Sequence, residues 1–144
     1  MFNKSLESAL GAMARLAEVY DDGQTTLTAD QIAEDRQLNK PFMSKLLTAL
    51  VQGGLVASKP GRRGGFSLSR PPGEIRLIDV AECVGHRTRI KCCSFGPGYG
   101  DEGQHCPMHD KVADIRDRIR VFLETSTLGE FARDAATRAK LTGG

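Results

Sequence analysis

The stretch Lys40–Arg70, KPFMSKLLTALVQGGLVASKPGRRGGFSLSR, leaves few ways for this chain to fold. It opens on Lys40-Pro41, and a proline in a first helical turn gives up only an amide proton that has no helical partner there. Phe42, Leu46, Ala49 and Leu50 follow at helical spacing and predict a short helix with one buried stripe. Lys40, Ser44, Lys45 and Thr48 lie off that stripe. Gly53-Gly54 supplies a positive-φ stop. Two short apolar strands come next, Leu55-Val56-Ala57 and Phe66-Ser67-Leu68. Alternation puts Phe66 and Leu68 inward and Ser67 and Ser69 outward. The tip between the strands carries Lys59, Arg62 and Arg63.

The preceding residues complete a pattern. Leu6, Ala9, Leu10, Met13, Leu16, Ala17 and Tyr20 recur at helical spacing and predict a helix over 5–20, ended by Asp21-Asp22-Gly23. Thr28-Ala29-Asp30-Gln31 is a capping-box sequence, in which hydroxyl and amide side chains satisfy each other's backbone donors. A short helix through Ile32 and Ala33 to about Asp35 follows, then the turn Gln37-Leu38-Asn39. Two short helices joined by a tight turn, then a basic-tipped hairpin, outline a winged helix-turn-helix. Pro71-Pro72-Gly73 closes the unit, so residues 1–72 are expected to form a DNA-reading domain.

Beyond it, Ile75 and Leu77 suit a brief extended piece, and Ile78–Val84 a short apolar helix ending at Gly85. Residues 86–107 are Gly-rich and aperiodic and are expected to form a loop, so 73–107 reads as a connecting helix and a cysteine-containing sensor loop. Met108, Val112, Ile115, Ile119 and Phe122 then repeat at spacings of 4, 3, 4 and 3, the pattern of a helix-pair seam. Thr127-Leu128-Gly129-Glu130 is a second capping-box sequence before a short last helix, with a frayed tail after Thr137. Residues 108–144 therefore read as a dimerisation helix and tail. The fold class is mainly α with a small β wing.

A net charge of +2 does not by itself argue for nucleic acid, but four basic residues and no acid fall between Lys59 and Arg70. No apolar run approaches the roughly 20 residues that span a bilayer. Glu7, Arg15 and Glu18 interrupt the first apolar stretch, so it does not read as a secretory signal. The expected location is the cytoplasm, where cysteines point to metal or redox chemistry before disulfides.

A DNA-reading helix needs small polar or basic side chains near its start; Asn39, Lys40, Ser44, Lys45 and Thr48 meet that need. Open amides at that helix start favour a phosphate. Lys59, Arg62 and Arg63 suit flanking phosphates or a minor groove. Cys92, Cys93, His105, Cys106 and His109 are soft or borderline donors of the kind that bind iron or zinc, and Cys106-Pro107-Met108-His109 has a two-residue gap that lets both side chains reach one centre. Adjacent Cys92 and Cys93 seldom bind one ion together. Cys83, on an apolar helix, reads as a small core residue. His86 reads as a surface residue.

The combined pattern resembles the family of winged-helix regulators that includes the iron–sulfur cluster regulator IscR and the nitric-oxide sensor NsrR. The resemblance covers Leu6 to Phe131. Its most specific pieces are Ser58–Arg70, the run Glu74-Ile75-Arg76-Leu77-Ile78-Asp79-Val80, and Cys106-Pro107-Met108-His109-Asp110 before a long helix. It implies a homodimeric transcriptional regulator acting on double-stranded DNA, not an enzyme, with no small-molecule substrate and with the helix from about Met108 to Glu124 as the dimer seam. Family members often hold an iron–sulfur cluster between the cysteine loop of one subunit and the first helix of the other. By this resemblance Cys106 is the last loop cysteine, His109 the histidine after it, Cys92 or Cys93 the first cysteine, and Glu7 an acidic ligand. The sequence departs from the family in two places: Ser94–His105 holds no middle cysteine, and Gly11 stands where some relatives have a histidine. The resulting expectation is a 2Fe-2S cluster on cysteines from Cys92, Cys93 and Cys106, completed by Glu7 or His109. The alternatives are a zinc- or thiol-dependent regulator without a cluster, and an iron–sulfur redox or assembly protein that leaves the wing without a purpose.

Overall fold

Asn3 starts the central helix: its Oδ1 accepts the Leu6 amide at 2.8 Å, satisfying a donor that a helix start leaves open. The computed structural model describes residues 2–86 and 106–142, so the expectations for Cys92, Cys93, His105 and their loop lie outside the described residues. Helix α1, Lys4–Glu18, buries Leu6, Ala9, Ala12, Met13, Leu16 and Ala17. Its apolar surface is wide enough for neighbours on several sides, and later helices from both halves of the chain pack against it.

The capping box before α2 (Ala29–Asp35) forms in both directions, Thr28 N to Gln31 Oε1 at 2.9 Å and Gln31 N to Thr28 Oγ1 at 3.1 Å. The chain then turns through Gln37 at φ +54° into α3, Lys40–Gln52. This helix buries Met43, Leu46, Leu47 and Leu50, while Phe42 and Ala49 are only half-buried. The expected stripe is thus rotated about the helix axis. Both sets of positions satisfy a 3.6-residue period, and contact with α1 decides between them.

Strands β1, Val56–Lys59, and β2, Gly65–Leu68, pair antiparallel from Val56↔Leu68 to Lys59↔Gly65. The expected alternation holds at Leu68, which is buried, and Ser69, which is exposed, but not at Ser67, buried at 7% exposure, while Phe66 is half-buried. The reason is non-local. Leu27 forms a bridge with Phe66 along the other edge of β2, and this brings the preceding turn over Ser67, where a Cβ on Gly23 would lie 3.8 Å from Ser67 Oγ.

A 3-10 turn at Pro72–Glu74 leads into α4, Leu77–Cys83. Helix α5 spans His109–Thr125, and α6 spans Gly129–Thr142, so the expected fraying after Thr137 is replaced by continued helix. Backbone bonds from Leu77 N to Ser126 O and from Leu128 N to Ile75 O, each 3.0 Å, tie the α5–α6 turn to the start of α4. Leu123 and Leu128 enter the same apolar core as Leu6 and Leu50. At its far end α1 is pinned by charge: Glu18 accepts from Arg15 at 3.1 Å and from Arg36, and lies 3.8 Å from Arg138 of α6.

Candidate nucleic-acid interface and sensor segment

With Met43, Leu46, Leu47 and Leu50 turned inward, α3 presents Lys40, Ser44, Lys45 and Thr48, all exposed. Lys40, Ser44 and Thr48 follow one another at four-residue spacing on a single face. Thr48 Oγ1 donates to the Ser44 carbonyl at 2.9 Å, which leaves its oxygen as an acceptor toward solvent. The helix start offers less to a phosphate than the sequence suggests. Pro41 has no amide proton, the Phe42 amide donates to Asn39 Oδ1 at 3.0 Å, and the Met43 amide donates to the Asn39 carbonyl at 2.9 Å. Asn39 is therefore a helix cap first, and the exposed side chains on the helix flank are the stronger candidates for DNA contact.

Arg62 and Arg63 are exposed at the wing tip, beside Gly61 at φ +101°. A Cβ on Gly64 would lie 2.1 Å from the Lys59 carbonyl oxygen, so the tip closes only with glycine there. Lys59 is exposed, but its Nζ donates to the Gly23 carbonyl at 3.3 Å. Thr26 Oγ1 donates to the Arg63 carbonyl at 3.3 Å. The sequence marks Gly23 only as part of a helix stop and does not mark Thr26, because both sit in an aperiodic turn and act on residues distant along the chain.

Among the proposed metal ligands, Cys106 is buried at 3% exposure. Its carbonyl accepts the His109 amide at 2.9 Å, so it sits at the root of α5, with half-buried His109 in the first turn. Glu7 is exposed on α1. Among the described residues, no three His, Cys, Asp or Glu side chains come together to hold a metal ion. Cys83 packs half-buried against the core, and burial, reinforced by Asp79 and Glu82, pushes its thiol up from the ordinary value. That favours the protonated, unreactive form expected of a core cysteine. His86 differs from its expected surface role: it is half-buried, with its ring edge-on to Phe2 at 6.1 Å.

Met108, at the cap of α5, and Ile115 and Phe122 on the helix, seven residues apart, are 41%, 57% and 48% exposed. Val112 and Ile119, between them, are half-buried. An apolar line of this kind stands open along most of the helix.

The model of the Rrf2 family, described as an iron-dependent transcriptional regulator, matches residues 2–134. This chain belongs to the Rrf2 family. The HTH-type transcriptional regulator IscR of Cronobacter sakazakii is 30% identical over 126 residues, covering 88% of this chain and 76% of that protein. Among solved structures, CymR, the global cysteine regulator of B. subtilis, superposes with a TM-score of 0.74 at 22% identity, covering 92% of this chain and 96% of its own. IscR from T. potens gives a TM-score of 0.70 at 24% identity, covering 94% and 88%. Those two likenesses establish the winged-helix fold, and the family establishes a DNA-binding transcriptional regulator rather than an enzyme. No helix among the described residues is long and apolar enough to cross a membrane.

Proposed function

We propose that two copies of this Rrf2-family regulator pair along α5, present two reading heads to one double-stranded DNA operator, and hold it more or less tightly according to an iron–sulfur cluster in the segment from Cys92 to His109. The observation that carries this reading is the placement of α5. Cys106 and His109 stand at its root, an open apolar line runs along it, and Leu123 near its far end is fully buried in the core of the reading head. A group that grips Cys106 therefore acts on a helix that reaches both the other copy and the head. Residues 1–72 then read DNA, 73–107 sense, and 108–144 join the copies.

The donor types suit a cluster: thiolates at Cys92, Cys93 and Cys106, imidazole at His109 and a carboxylate at Glu7. Glu7 is exposed on α1 and thus accessible to a segment of a second copy. A bound 2Fe-2S cluster would supply a group whose presence and charge follow iron supply, oxidants or nitric oxide. Cys106 and His109 would hold one side of it, and the backbone bond between them passes that hold to the first turn of α5.

Iron and acid-labile sulfide measured on anaerobically purified protein, with its absorption spectrum, test the sensing half. Coloured protein with both elements is expected; a colourless, iron-free sample removes the cluster. A second reading, regulation by thiols or zinc without a cluster, is favoured by the absence of a cysteine between Ser94 and His105 and by a shared fold with a global cysteine regulator. Zinc, or a metal-free disulfide, in the same measurement supports it instead.

A further inference from the structure

The outer edge of the wing is braced by the segment between α1 and α2. Leu27 and Phe66 exchange both backbone hydrogen bonds, at 3.0 and 2.7 Å. A Cβ on Gly65 would come within 2.7 Å of the Leu27 carbonyl oxygen, so the two backbones are as close as glycine permits. Nearer the tip, the Thr26 hydroxyl holds the Arg63 carbonyl and the Lys59 ammonium holds the Gly23 carbonyl. The bracing segment is itself fixed. The Asp21 carboxylate accepts the Thr25 amide at 2.6 Å and the Thr25 hydroxyl at 2.5 Å, and Asp22 and Gly23 turn the chain at φ +61° and +83°.

We infer that the turn Asp21–Leu27 positions the wing for DNA, through Thr26, which pins the backbone that carries the Arg63 guanidinium, and through Lys59, whose ammonium braces the root of the tip instead of contacting a phosphate. This rests on the wing arginines touching DNA. Two arginines on a glycine-flanked tip lose conformational freedom when they bind, and fixing the backbone beneath them beforehand lowers that cost. Thr26 is a positioning residue, because the group it holds is a carbonyl and not the nucleic acid. Lys59 faces Gly23 across 36 residues of sequence, so its role is set by the fold and not by its neighbours in the basic run.

The test is fluorescence anisotropy with a labelled mixed-sequence DNA duplex, from roughly 50 to 200 mM salt, on the full chain. The variant Arg62→Ala with Arg63→Ala is expected to weaken binding and to reduce the salt slope by about two, one for each phosphate left without its guanidinium. Thr26→Val is expected to weaken binding about threefold to tenfold, Thr26→Ser to restore it, and Thr26→Val to add nothing when the two arginines are already absent. A merely structural Thr26 would add its loss in that background too. Lys59→Gln, which removes the charge but keeps a side-chain N–H donor, is expected to keep the wild-type salt slope. Wild-type affinity in Thr26→Val, or an additive loss without the arginines, overturns the role of Thr26. A slope reduced by about one in Lys59→Gln makes Lys59 a phosphate ligand and overturns its bracing role. If the double arginine variant binds like wild type, the wing reading fails and the inference goes with it. Thr26→Ser and Lys59→Gln answer independently of how Thr26→Val folds.

Discussion

The reading head and helix α5 handle apolar surface in opposite ways. In the head, α1 fully buries Leu6, Ala9, Ala12 and Met13, and α3 buries Met43, Leu47 and Leu50 against it. In α5, seventeen residues long, only Leu123 is buried, while Ile115, Val121 and Phe122 are each at least 48% exposed and the capping Met108 is 41% exposed. The apolar faces of α1 and α3 are covered within the chain, with Leu123 and Leu128 joining their core; α5 carries an apolar line that the other described residues leave open. Apolar side chains at seam spacing gain from being covered by a second helix, at about 25 cal/mol per Å² removed from water. The core around α1 is complete in one copy, and the proposed pairing along α5 would cover what remains exposed there.

The largest expected effect comes from breaking the second half of that comparison. Ile115→Asp places a charge in the middle of the proposed seam, where burial without a partner costs several kcal/mol. Light scattering after size exclusion is expected to show a monomer where the wild type is a dimer. Unfolding of the head should change little, because Ile115 is 57% exposed within its own chain. A variant that remains dimeric places the seam elsewhere.

Leu47→Ala breaks the first half. Leu47 is fully buried, and removing its side chain should cost roughly 2–5 kcal/mol and lower the unfolding midpoint. The apolar line on α5 lies outside that part of the core, so the folded fraction should still pair at native-like affinity. If Leu47→Ala left the midpoint unchanged while Ile115→Asp collapsed it, the two regions would have exchanged roles.

The sequence pattern carries most of the fold because most elements announce themselves locally. The spacing from Leu6 to Ala17 reveals α1, Thr28 and Gln31 reveal the start of α2, and Gly53-Gly54 marks the end of α3, with Gly54 at φ +80°. Where local pattern leaves a choice, it fails. Phe42 and Met43 are both apolar, so which one faces inward depends on where α1 lies. Alternation places Ser67 outward because it knows nothing of residues 21–27 folding over the strand. The exposed candidates Lys40, Ser44, Lys45, Thr48, Arg62 and Arg63 are legible, since charge at a hairpin tip or off an apolar stripe stays in water. The bond from Lys59 to Gly23 and the bond from Thr26 to Arg63 are not, because hydrogen bonds between side chains and distant carbonyls leave no periodic trace.

The smallest expected effect concerns the turn that braces the wing. Asp21 holds Thr25 through both carboxylate oxygens, and the hydroxyl bond, followed by the amide bond, lowers its pKa below the ordinary carboxylate value. A depressed folded-state pKa means a contribution that is complete above the unfolded value, about 3.9, and is lost only as pH falls through the still lower folded value. Across pH 6 to 8 the carboxylate therefore stays charged and the turn stays closed. DNA affinity of the wild type should show no titration from this group in that window. Asp21→Asn keeps an acceptor for one of the two Thr25 donors, so it should weaken binding only slightly and by the same factor at pH 6 and pH 8. A pH-dependent difference between Asp21→Asn and wild type in that range would mean that Asp21 titrates near neutrality, which the two short bonds from Thr25 oppose.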